Sequence, residues 1–355
     1  MRYLFYALFM ALSLNLVGQT CDTTSECTCI TDDLNPAGIM LGHRHAAKEW
    51  KFSYRYMYMN MHDLMFENKS YNANDIFKLG YLSSPINMRM HMHMLMGMYG
   101  FTDKFSVMGM LNYNQMSMDM DMFGTSHNHS GSSSHSHGHS HEGDMSMHSS
   151  GISDAEIYAV LNVLDNQTHA LWLNAGLGIP TGTIYLKGKN DDMMYPDRRY
   201  PYMMQLGSGT LDFIPNIAYL FTKNKFSAGA QAGAILRPFT NALGYTKGNQ
   251  LSMTGWASYK WLKWISSSAR IDNVYSGEIR GDDAQLIQII EPAAAPFNYG
   301  GQVINVYGGL NFYINKTFLR NSKLSIEYGI PLYQYVNNIQ LSLKSSIYAG
   351  WSFAF

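Results

Sequence analysis

The chain has 355 residues, 14% of them charged and 14% aromatic, with 25 Tyr and a formal net charge of −1. Charged residues fall well below the roughly one quarter usual for a soluble domain, and beyond the N-terminus no stretch is long and apolar enough for a membrane helix. The near-zero net charge argues against a nucleic-acid partner.

In chain order, residues 1–18 read as a signal peptide. Arg2 supplies the positive start, Leu4 to Leu16 is apolar except for Ser13 and Asn15, and cleavage is expected near Gly18 or Gln19. Gly18, Gln19 and Thr20 make a poor lipobox before Cys21, so no lipid anchor is expected. Residues 19–47 form a Cys/His-containing segment. Cys21, Cys27 and Cys29 could form a disulfide in an oxidising periplasm or hold a soft metal, and the odd count leaves both open. Met40, His43 and His45 stand at its end, in Gly-Ile-Met-Leu-Gly-His-Arg-His. This stretch either hangs in the periplasm or folds into the mouth of the domain formed by the rest of the chain.

Residues 48–355 carry a period of two. Twelve segments are predicted as strands, near 48–61, 87–99, 104–118, 151–163, 169–180, 209–221, 226–238, 249–260, 264–276, 301–313, 322–335 and 340–355. The connections alternate. Those after even-numbered segments are short, while 62–86, 119–150, 181–208, 239–248 and 277–300 are longer, and only Val336–Ile339 breaks the rule. An even count places both termini on the short-turn side. These features predict an all-β fold, a closed antiparallel transmembrane β-barrel of about 12 strands in the outer membrane. Ile347, Ala349, Trp351, Phe353 and Phe355 alternate to a terminal aromatic. Such a final strand implies two partners, the lipid bilayer and the barrel-assembly machinery.

Methionine is the sharpest anomaly: 19 of 26 lie between Met40 and Met147, many at every second residue. Period two puts each set on one strand face. The set is either flexible apolar filler or a thioether ladder along a pore, suited to Cu(I) or Ag(I). In the first strand Phe52, Tyr54, Tyr56 and Tyr58 share one face, so Arg55, Met57, Met59 and Met61 are expected in the lumen. In the third, Met108, Met110, Asn112, Asn114 and Met116 are expected inside. The second strand is ambiguous. If its Met face meets lipid, His91 and His93 are the lumenal candidates.

Seven of the 13 histidines lie between His127 and His148. Within the loop 119–150, His127, His129, His135, His137, His139 and His141 stand in a Ser/Gly/His-rich tract without apolar period, read as an outward loop that captures transition metals loosely. No G-x-S-x-G or H-E-x-x-H occurs, and Asp154, Glu156 and Asp212 have no base or nucleophile near in sequence, so no enzyme and no required cofactor is expected.

Several stretches carry a resemblance. Gly-Ile-Met-Leu-Gly-His-Arg-His with Glu-Trp-Lys-Phe-Ser-Tyr-Arg-Tyr-Met, then His-Met-Leu-Met-Gly-Met-Tyr-Gly-Phe-Thr-Asp-Lys, Met-Gln-Leu-Gly-Ser-Gly-Thr and Glu-Tyr-Gly-Ile-Pro-Leu-Tyr-Gln resemble a family of bacterial outer-membrane transporters. That family looks related to the (MetA-type) barrels grouped with phenol-degradation pathways. Its members often accompany metal-resistance genes, which implies a copper link; the His-rich loop and the Cys segment lie outside the resemblance. The leading expectation is a channel, passive or gated, for soft metal ions, with Met40, His43, His45, Met57, Met59, Met61, His91 and His93 as its ligands. The alternatives are a pore for small hydrophobic or aromatic molecules and a barrel-anchored protein that sequesters metal at the surface.

Overall fold

A computed structural model describes residues 33–42, 47–122, 145–188, 197–314 and 321–354. The expectations for the signal peptide, the three cysteines, His43, His45 and His127 to His141 fall outside these residues.

The strands are β1 (Trp50–Phe66), β2 (Lys69–Tyr71), β3 (Ser83–Thr102), β4 (Phe105–Met122), β5 (Met145–Ile152), β6 (Ala155–Asp165), β7 (His169–Ile179), β8 (Asp212–Lys223), β9 (Phe226–Ile235), β10 (Tyr245–Thr246), β11 (Gln250–Leu262), β12 (Ile265–Ser276), β13 (Arg280–Gly281), β14 (Gly301–Ile314), β15 (Ser322–Val336) and β16 (Ile339–Ala354). Neighbours pair antiparallel around a full circle, which β16 closes on β1 from Lys51↔Ala354 to Phe66↔Ile339. β5 and β6 both pair with β4, so together they make one interrupted stave of a twelve-strand barrel. Closure leaves no sheet edge, the condition for crossing lipid with strands. No helix among the described residues is long and apolar enough to span a membrane.

The expected strands all appear. The outer ends of three run further than their period suggests: β1 continues to Phe66, β3 begins at Ser83 and β4 reaches Met122, while β5 adds Met145–Ile152. The strands therefore enter both ends of 119–150, a stretch that its sequence predicts to be loop throughout. The reason lies on the exterior. Leu173, Leu177, Ile217, Ile271, Leu310 and Ile326 are exposed apolar side chains in a lipid-facing band, with Trp50, Phe101, Phe105, Phe226, Trp261 and Trp264 near the short-turn end. On β1, β3 and β4 this band ends early. Its outward rows change from Tyr54–Leu95–Leu111 to Tyr58–His91–Gln115 and then Asn60–Arg89–Ser117. Above that level the staves leave the bilayer, and about seven residues of β1 at ~3.3 Å each raise the wall roughly 20 Å above it. Outside lipid the outward face needs no apolar residues, so the alternation that marks a strand in the sequence fades.

Candidate functional site

The lumen has two unlike walls. Inward positions of β1, β3, β4 and β5 are dominated by methionine and lie in register across the strands. Met61, Met88, Met118 and Met147 form one row, Met59, Met90 and Met116 the next, and Met57, Met92 and Asn114 the third. Further in, Met96 faces Met110 and Met98 faces Met108. The opposite wall carries half-buried polar side chains at Asn216, Gln231, Ser252 and Thr254.

At the short-turn end, residues 33–42 enter the lumen, one of the two alternatives for this segment. Ile39 and Leu41 pack on Met96, Met98, Met108, Tyr158, Trp172 and Trp256. Leu34 and Ala37 are buried as well, and the remaining contacts of the segment are polar. Lys323 Nζ donates to Asp33 Oδ2 at 2.8 Å and to the Asn35 carbonyl at 3.1 Å. Lys51 Nζ lies 3.5 Å from Asp33 Oδ2. Trp256 Nε1 donates to Asn35 Oδ1 at 3.1 Å, and Asn35 Nδ2 donates to the Gly42 carbonyl at 2.9 Å, folding the segment back on itself. Arg55 Nη2 donates to the Ile39 carbonyl, and Gly38 N donates to Glu327 Oε2, both at 2.5 Å.

Glu327 also holds Arg270, whose Nε lies 3.1 Å from Oε1 and whose Nη1 donates to Asp272 at 3.1 Å. The Arg270 guanidinium lies 3.6 Å over the Tyr307 ring. Buried charges need such paired, hydrogen-bonded neighbours. The backbone passes so close that a side chain at Gly38 would run into the Arg270 guanidinium.

At the other end the long connections fold inward. Tyr200, Met204, Leu206 and Ala293 join Met88, Met116, Met118, Met120 and Met147 in one apolar cluster. Tyr202 stacks edge-on against Tyr245 and Tyr299, at 4.7 and 5.6 Å. The buried pair Arg199–Asp283, 3.0 Å apart, ties two of these connections together. Burial pushes the Tyr202 hydroxyl up to about 12 and raises Tyr245 and Tyr299 as well, so these phenols stay neutral at physiological pH. On the connection after β10, burial pushes the Lys247 ammonium down to about 8.

The sequence candidates separate cleanly. Met57, Met59 and Met61 face the lumen, and Met61 also packs on the outer cluster. Met40 is half-buried on the lumenal segment, next to the Ile39 carbonyl that Arg55 binds. The ambiguous strand resolves against the histidines. Its Met face is the buried one, so His91 and His93 point outward and cannot line the lumen as they would have if that face met lipid. There His93 Nδ1 pairs with the Tyr54 hydroxyl at 2.7 Å and His91 Nδ1 with the Tyr56 hydroxyl at 2.8 Å. They belong to the boundary between the apolar band and water.

Asp154, Glu156 and Asp212 hold structure: Asp154 accepts from Gly182 N and Ser208 N, Tyr158 donates to Glu156, and Asp212 pairs with Arg237 at 2.8 Å. The residues that sequence reasoning missed are Asp33, Lys51, Arg270, Lys323 and Glu327. For the four on strands the signal was available, because a charge at an alternate position of a membrane-spanning strand has only the lumen to face.

No protein-family profile and no curated protein sequence matches the chain. Among solved structures, an outer-membrane channel from Pseudomonas putida F1 superposes with a TM-score of 0.56 at 14% identity, covering 89% of this chain and 100% of that one. A FadL homologue from Pseudomonas aeruginosa gives 0.43 at 9% identity, over 87% and 90%. A channel described as CymD, for monoaromatic hydrocarbons, gives 0.39 at 9%, over 88% and 90%. The first of these likenesses is one of fold, and with the apolar exterior it places this chain among the closed barrels of the outer membrane.

Proposed function

We propose that the protein is an outer-membrane channel for small molecules with an apolar or aromatic body and a polar group, closed at its inner end by residues 33–42. The two-sided lumen carries this reading. A methionine strip runs along β1, β3 and β4 from the outer cluster to the inner one, facing amide and hydroxyl side chains across the lumen. Methionine is pliable and polarisable and accommodates apolar bodies of different shape, while the opposite wall offers hydrogen bonds. The fold shared with a protein described as an outer-membrane channel supports the general assignment.

Osmotic swelling of liposomes containing the purified chain tests the selectivity. An aromatic carboxylate should enter faster than an aliphatic hydroxy acid of similar size and charge. Equal rates, or a faster hydroxy acid, would remove the aromatic reading and leave an unselective pore.

A further inference from the structure

The inward methionines are not all alike. Met88, Met118, Met120 and Met147 are fully buried in the outer cluster, and Met96, Met98 and Met108 are buried against the N-terminal segment. Packing accounts for these. Between the two clusters Met57, Met59 and Met92 are only half-buried, as is Met90 at the edge of the outer cluster. They sit on adjacent strands in direct register, Met57↔Met92 and Met59↔Met90, with all four side chains on the inward face. Directly opposed residues on one face have Cβ atoms about 4.5–5.5 Å apart, within reach of two flexible thioether arms.

Two observations argue against filler at these four positions. On the facing strands, half-buried inward positions include Asn216, Gln231, Ser252 and Thr254, whereas here they are methionine four times over. The outward positions interleaved with the four are Tyr56, Tyr58, Arg89, His91 and His93, so methionine is confined to the inner face over this stretch.

We propose that Met57, Met59, Met90 and Met92 form a thioether site for a soft monovalent cation, Cu(I) or its redox-inert analogue Ag(I). Thioether sulfur is a soft, neutral donor that favours such ions over hard or borderline ones. It carries no proton in the working pH range, so the site binds without proton release and keeps its affinity in mild acid, where imidazoles lose theirs. Binding here does not require the chain to conduct, so this inference stands or falls separately from the channel reading.

The test is Ag(I) titration of the full chain in nanodiscs at about pH 5.5, where most imidazoles are protonated. The chain would carry Cys21→Ser, Cys27→Ser and Cys29→Ser to remove thiolates, with carbon-13 labelled methionine methyls as the readout. The methyl signals of Met57, Met59, Met90 and Met92 should shift together and saturate, while those of Met88 and Met118 stay in place. Combined replacement of the four by Leu should weaken Ag(I) binding at least about tenfold, because Leu keeps the volume and loses the donor. Met88→Leu with Met118→Leu should leave binding unchanged. If the fourfold variant does not fold, Met59→Leu alone should still weaken binding measurably. No saturable shift at the four methyls, or equal Ag(I) affinity in the Leu variant, would overturn the assignment.

Discussion

The two closures of the lumen are built from different materials. The outer one is aromatic and aliphatic: Tyr200 and Met204 pack on the ends of the methionine rows, and Tyr202, Tyr245 and Tyr299 form a second apolar cluster. The inner one is a ten-residue segment with only Ile39 and Leu41 in an apolar cluster, held elsewhere by Lys323, Lys51, Arg55 and Glu327. An apolar closure is stabilised by area and loses it gradually as side chains are trimmed. A polar closure depends on a few partners, each of which water can replace once the segment leaves. The proposed inner closure is therefore the one whose contacts water can replace, and the outer one rests on buried apolar area.

The largest effect is expected at Glu327, 1% exposed and bound both to Arg270 and to the backbone of Gly38. Glu327→Ala leaves a buried guanidinium with Asp272 as its remaining carboxylate, a loss of up to about 3–5 kcal/mol. Segment docking should fail, and proteolysis from the inner side should cut within 33–42 of the variant but not of the parent. Equal protection of the two chains would show that the segment is not held by this pair. At the outer closure Tyr202→Phe removes one hydroxyl, which accepts from Asp283 N at 3.0 Å, and keeps the ring in its stack. The expected loss is about 1 kcal/mol, too little to open the rim, so planar-bilayer conductance should equal that of the parent. A clear rise would make the outer closure the weaker of the two.

Much of this architecture was legible in the sequence, and its failures have a common cause. Phe52, Tyr54, Tyr56 and Tyr58 marked the outer face of β1 because that part of the strand lies within the apolar band. On β3 the same logic stalled: Arg89 and His91 are polar yet point outward, His91 at the boundary of the apolar band, level with Tyr58, and Arg89 one row above it. A rule that sorts polar from apolar faces holds only where one face meets lipid. The buried charges Arg270 and Glu327 were visible as charges on spanning strands. Their link to Gly38, hundreds of residues away in the chain, is created by closure of the barrel and has no local pattern.

If residues 33–42 close the inner end of an otherwise passable lumen, removing them should open it. Single-channel conductance of residues 43–355, beside that of residues 19–355, tests this most directly, with heat-modifiable migration confirming that both barrels are folded. The shortened chain should show a several-fold higher conductance and stay open for most of the recording. A folded, shortened barrel that conducts no better than the parent would contradict the inner closure and place the barrier at the outer one.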